Sequence, residues 1–179
     1  MSVFRSLSLV AMLGVMLLGA SPAMKTYVSP KYHVSVTYPS SWIDKGVAKV
    51  DLLNPDYTGA YNSFAFGPKM DGEILVAVVP SAPMTRDAFL AAYQSILDEM
   101  GMNLKAENVS DVEVNGLKGF QFDYGAGTQI GRVHLAVFFA NGKRYVIEAM
   151  GFDERKGEYA SYATVIDDVF ASFKLLPGA

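Results

Sequence analysis

Between Ile130 and Met150 the chain reads IGRVHLAVFFANGKRYVIEAM, two runs rich in Val, Ile and aromatic residues either side of Asn141-Gly142. Asn-Gly suits a two-residue type I′ turn, in which both central residues need a positive φ. The turn sets the register, with Ala140 opposite Lys143 and Phe138 opposite Tyr145. One face then carries Val133, Leu135, Val137, Phe139, Val146 and Met150. The other carries Ala136, Phe138, Tyr145, Ile147 and Ala149. A hairpin with one wet face would alternate apolar with polar residues. This one is apolar on both, so it predicts a central antiparallel pair that the rest of the chain must cover with two layers.

The remaining elements fit that demand. Tyr27–Ser29 and Tyr32–Tyr38 read as strands broken by Pro30, with Val34, Val36 and Tyr38 on one face and His33, Ser35 and Thr37 on the other. Val47–Leu53, Ser63–Phe66 and Glu73–Val79 read as further strands. Thr85 is a good N-cap for a helix reaching Met100, with Phe89, Tyr93, Ile96, Leu97 and Met100 on one stripe and Gly101 at its end. Val109–Tyr124 is a second hairpin turned at Asn115-Gly116, pairing Glu113 with Lys118. Its apolar parity changes around Gly119, which predicts a bulge there. A last helix from Gly157 to Ser172 presents Tyr159, Tyr162, Ala163, Ile166, Val169, Phe170 and Phe173, with Asp167 and Asp168 on the wet side. The tally is an α+β fold, a central antiparallel sheet of about six or seven strands sandwiched by helices.

The first 23 residues have the grammar of a cleaved secretory signal. Arg5 precedes the apolar run Leu7–Leu18, and Ser21 and Ala23 occupy small-residue positions before a cleavage point. The run is shorter than the roughly 20 residues of a membrane span. The expected mature chain is therefore a single domain, 24–179, periplasmic or secreted, with no transmembrane anchor after cleavage. The 179 residues carry a formal net charge of −3, and losing Arg5 makes the mature chain one unit more acidic. No basic stripe is present, which argues against a nucleic-acid partner. There is no Cys, which excludes disulfides, thiolate chemistry and lipid-modified cysteine.

The opening YVSPKYHVSVTYPSSW resembles the start of the PsbP-like families, an extended segment followed by Tyr-Pro, two residues and Trp. The later VNGLKGFQFDY, the hairpin with Gly before RYVIEA, and a helix finishing in ASFKLL are similar as well. The resemblance spans Tyr27 to Leu175 and includes the DcrB-like exported proteins of bacteria. It rests on Tyr38-Pro39, Trp42, Gly116, Gly142 and Ser172-Phe173, which are structural positions. It implies a sheet sandwiched by helices and an accessory, assembly or binding role, and it brings no catalytic motif. One branch of relatives acts as cytosolic adaptors of secretion effectors, and the leader here departs from that branch.

No catalytic constellation or metal-ligand spacing stands out, and no cofactor is expected. Gly125–Gly131 is Gly-rich, but a strand follows it where a phosphate loop needs a helix. Arg132 and His134 share a face. They form either a polar pocket, in which Arg132 holds an anion and His134 titrates near neutrality, or a strand-end pair at the sheet margin. The irregular stretch 54–72 carries Tyr57 and Tyr61 and is either a binding loop or a lid folded over the sheet. Trp42 either lines the same region or belongs to the core. The resulting expectation is a non-catalytic exported accessory protein whose partner is an envelope protein. The alternative is a carrier of a small apolar ligand or lipid, which needs a cleft of roughly 300 Å³ or more between sheet and helix.

Overall fold

The structure, a computed structural model, describes residues 22–46, 63–69, 72–126, 128 and 131–178. The strand expected over Val47–Leu53 and most of the Tyr-rich stretch, including Tyr57 and Tyr61, lie outside the described residues, as does the leader up to Ser21.

The central hairpin forms as its turn dictates. Strand β8 (Arg132–Ala140) pairs with β9 (Lys143–Phe152), with Ala140 opposite Lys143 and Phe138 opposite Tyr145. Asn141 and Gly142 have φ of 52° and 69°, the left-handed pair a type I′ turn requires. Around this pair the chain builds one seven-stranded antiparallel sheet. Its order is β3 (Ile43–Gly46), β4 (Ser63–Gly67), β5 (Glu73–Pro80), β9, β8, β7 (Leu117–Tyr124) and β6 (Glu107–Val114). The second hairpin repeats the turn chemistry at Asn115-Gly116, and Glu113 faces Lys118 as expected.

Both faces of the sheet are covered. Helix α1 (Arg86–Glu99) starts at Thr85, whose hydroxyl accepts from the Ala88 amide at 3.2 Å. It lays Phe89, Tyr93 and Leu97 on an aromatic floor of Phe120, Phe122 and Tyr124, beside Val133, Leu135 and Val137. Met100, expected on that stripe, is instead exposed. The helix ends there, its carbonyls are taken up by the amides of Met100, Gly101 and Met102, and the chain turns away at Gly101 with φ 70°.

The opposite layer is composite. Helix α2 (Glu158–Ser172) supplies Ile166, Val169 and Phe170, followed by Phe173. Beside it the early strands β1 (Met24–Ser29) and β2 (Val34–Pro39), with the short β10 (Lys174–Leu175), form a separate three-stranded sheet. Val34, Val36 and Tyr38 face the core from that sheet. His33 was expected on β2 but lies in the turn before it, with φ 55°. Trp42, one of the residues considered for binding, is only 4 % exposed. Its ring lies 6.4 Å from Phe152 and 6.1 Å from Tyr162, so it is core.

The expected bulge at Gly119 is absent. Pairing of β6 with β7 is continuous from Ser110–Gln121 to Val114–Leu117, and the irregularity lies between Glu107 and Ser110. The parity change has another cause. On β7 the aromatics Phe120, Phe122 and Tyr124 face α1, while Gly119 faces the α2 layer, where a Cβ would come within 2.2 Å of Val137 O and 2.7 Å of Phe138 Cδ1. Gly119 gives the Phe138 ring its place.

The end of α2 is held from two sides. The Asn115 side-chain amide, besides belonging to the turn, donates to Ala171 O at 3.0 Å and Phe173 O at 2.8 Å. Ser172 Oγ accepts from the Thr37 amide at 2.8 Å. The Asn115 bonds satisfy carbonyls that a helix C-terminus leaves over, and together these contacts tie α2 to both sheets. Replacing Asn115 by Gly keeps the turn conformation and removes only the amide. Thermal unfolding should show a loss of about 1–3 kcal/mol, a fall in Tm of roughly 3–8 °C.

Candidate functional site

One end of the sheet gathers charged side chains on its α2 face. Asp123 on β7 lies directly opposite His134 on β8. His134 Nδ1 stands 2.5 Å from Asp123 Oδ1, and because a carboxylate only accepts, the ring N–H donates. The other carboxylate oxygen accepts from Asn108 Nδ2 at 2.7 Å. Asn108 reaches it because the β6 irregularity puts this residue at φ 53°. Arg132 Nη1 lies 3.9 Å from Asp123 Oδ2, and its guanidinium sits over the Tyr159 ring at 5.0 Å. Phe170 closes the other side, its ring 4.9 Å from that of His134.

Burial alone would raise the pKa of Asp123, whose side chain is 8 % exposed. The hydrogen bonds from His134 and Asn108, with the charges of His134 and Arg132, outweigh it and hold this carboxyl below its usual range. Burial, with the Asp123 charge added, pushes the Tyr159 phenol up to about 12. The cluster is thus an Asp–His pair oriented by an amide and capped by an Arg–Tyr stack.

Sequence reasoning placed Arg132 and His134 on one face, and the structure brings them together. Their internal partners Asp123 and Asn108 were missed, because they come from two other strands. The anion that Arg132 meets is a carboxylate of the protein itself. A second buried carboxylate, Glu148, was missed inside the apolar run of β9. It is fully buried between Leu75 and Leu135 and accepts from the Tyr124 hydroxyl at 3.2 Å.

Two clefts open elsewhere. One, of about 260 Å³, is lined by Asn103, Leu104, Lys105, Glu107, Gly125, Ala126 and Thr128. The other, of about 110 Å³, is lined by Lys31, Tyr32, Val78, Pro80 and Lys143. Neither is lined by Asp123, Arg132 or His134. Among the described residues no group of three or more His, Cys, Asp or Glu could hold a metal ion. Among them, too, no helix is long and apolar enough to cross a membrane.

With this geometry the chain matches cyanobacterial PsbP (CyanoP) from Synechocystis sp. PCC 6803, whose solution structure superposes with a TM-score of 0.61 over 91% of this chain and 98% of that one. The chain has a PsbP-like fold. Sequence identity is 16%, so the likeness lies in the architecture. A protein of Bacteroides thetaiotaomicron is similar over 86% of this chain, with a TM-score of 0.50 and 17% identity, and this chain spans 49% of its length. No protein-family model and no curated protein matches. The PsbP-like fold here is the mixed α+β sandwich described above, a seven-stranded antiparallel sheet with a three-stranded sheet and two helices.

The lowered pKa of Asp123 has a consequence for stability. A carboxylate whose folded value lies below its unfolded one contributes fully above the unfolded value, near 3.8. That contribution is lost as pH falls through the lower folded value. Asp123→Ala removes the acceptor of the His134 ring and of the Asn108 amide and should cost about 3–5 kcal/mol at neutral pH in urea unfolding. The gap from wild type should narrow as the pH falls below 3.8 and through the lower folded value, where the wild-type carboxylate protonates as well.

Proposed function

We propose that this protein is a non-catalytic accessory protein, exported to the cell envelope, that acts by binding a protein partner there. The observation that carries the reading is the PsbP-like fold across nearly the whole chain, since the resemblance implies accessory and assembly roles for that fold. The buried polar cluster supports it. Asp123 accepts from His134 and Asn108, with Arg132 close by, beneath Phe170 and Tyr159, an arrangement suited to holding strands together. The carrier reading gains less from the clefts among the described residues, which at about 110 and 260 Å³ are below the roughly 300–1,000 Å³ usual for ligand pockets. The Tyr-rich stretch 54–72 is the surface proposed to meet the partner, through Tyr57 and Tyr61.

The test has two parts. N-terminal sequencing of the protein recovered from its native envelope should begin at Met24, and a chain starting at Met1 would remove the export half of the reading. A pull-down with the mature chain, tagged at its C-terminus, should retain one specific envelope protein. The double variant Tyr57→Ala, Tyr61→Ala should weaken that retention at least about tenfold, the cost of losing one hot-spot aromatic. Retention of no protein at all would sink the accessory reading.

A further inference from the structure

The smaller cleft has a composition that the accessory reading does not use. It lies where the β1–β2 turn, bearing Lys31 and Tyr32, overhangs the ends of β5 and β9. Pro80 and Lys143 are opposite each other in that pairing. Val78 and Pro80 give it an apolar wall, with Val78 almost wholly buried. Lys31 folds back so that its ammonium meets the Tyr32 hydroxyl at 3.0 Å and stands 4.8 Å from the centre of that ring. Lys143 is half-buried. Among the described residues neither lysine has a carboxylate within ion-pair distance.

Two ammonium groups on the rim of a concave, low-dielectric wall, in a chain of net negative charge, concentrate positive potential at one point. A lysine held half-buried without a counter-charge is stabilised by any anion that reaches it. The volume limits what can enter. About 110 Å³ is somewhat less than the ~150 Å³ cavity that holds benzene, so a group of a few heavy atoms fits and a drug-sized molecule does not. The apolar wall chooses among small anions. A phosphate has no surface to set against Val78 and Pro80, whereas a carboxylate with a short alkyl tail places its charge between the lysines and its tail on that wall.

We propose that the cleft formed by Lys31, Tyr32, Val78, Pro80 and Lys143 is a binding site for a short-chain monocarboxylate. Its oxygens accept from Lys31 and Lys143, and its tail rests on Val78 and Pro80. The site shares no residue with the partner surface proposed above.

The experiment is an amide chemical-shift titration of the mature chain with sodium butyrate, acetate and phosphate in turn, at fixed ionic strength. Saturable shifts confined to the amides of Tyr32, Val78, Val79 and Lys143, with butyrate binding about 3- to 10-fold tighter than acetate, are the expected result. Lys31→Gln and Lys143→Gln should each weaken butyrate at least about threefold, and Lys143→Arg should retain it. Unsaturable shifts spread over all surface lysines would overturn the proposal. Phosphate binding as tightly as butyrate, or affinity indifferent to tail length, would overturn it as well.

Discussion

A strand pair that is apolar on both faces cannot stand at the surface of anything, and that constraint organises this molecule. On β8 and β9, Val137 and Val146 face one way, and Ala136, Phe138, Tyr145 and Ile147 face the other. Each face must be removed from water, and the gain scales with the area covered, about 25 cal/mol per Å². One helix is too narrow to cover seven strands. The α1 side therefore fills its space with large rings beneath a single helix. The α2 side adds a second small sheet alongside its helix.

The two faces solve the packing problem differently, and β7 is where the difference shows. Toward α1 it presents three aromatic rings in succession. Toward α2 it presents Gly119, Gln121 and Asp123, two of them polar. The bulk that Gly119 withholds is supplied by Phe138 of the neighbouring strand and Phe173 beyond α2, whose rings are 5.7 Å apart and nearly parallel. Asp123 then falls at the end of that face, where His134, Arg132 and the irregular Asn108 converge on it. A charge at that place is tolerable because each carboxylate oxygen accepts a hydrogen bond and Arg132 stands close by. It also specifies the arrangement, since only one registration of β6, β7 and β8 brings all four side chains together.

The turns were legible in the sequence because their chemistry is local. Asn-Gly demands positive φ whatever surrounds it, and one turn fixes the parity of twenty residues. The bulge at Gly119 was a misreading for the converse reason. A parity change within a strand looks like an inserted residue when one face is presumed wet. Here both faces are buried and merely prefer different sizes. Asp123 and Glu148 were invisible for a related reason. Each sits in a strand whose neighbours alternate acceptably around it, and only pairing with Asn108, His134 or Tyr124, from distant parts of the chain, shows that it is buried and matched. Trp42 read ambiguously because a lone Trp carries no periodicity; the rings of Phe152 and Tyr162 decide its place.

The distribution of unmet charge separates the structural from the functional in this chain. Asp123 is met by three partners, and Glu148 by the Tyr124 hydroxyl in the depth of the sheet. Arg86 bridges α1 to Asp111 of the edge strand at 2.8 Å. These groups have their complements within the fold, so exchanging any of them costs stability before it touches binding. Lys31 and Lys143 have no such complement among the described residues, and they stand where two sheets approach each other around an apolar wall. Two like charges at one cleft gain the fold nothing in stability. What they offer is directed outward: a place where a small anion completes an arrangement that the chain itself leaves open.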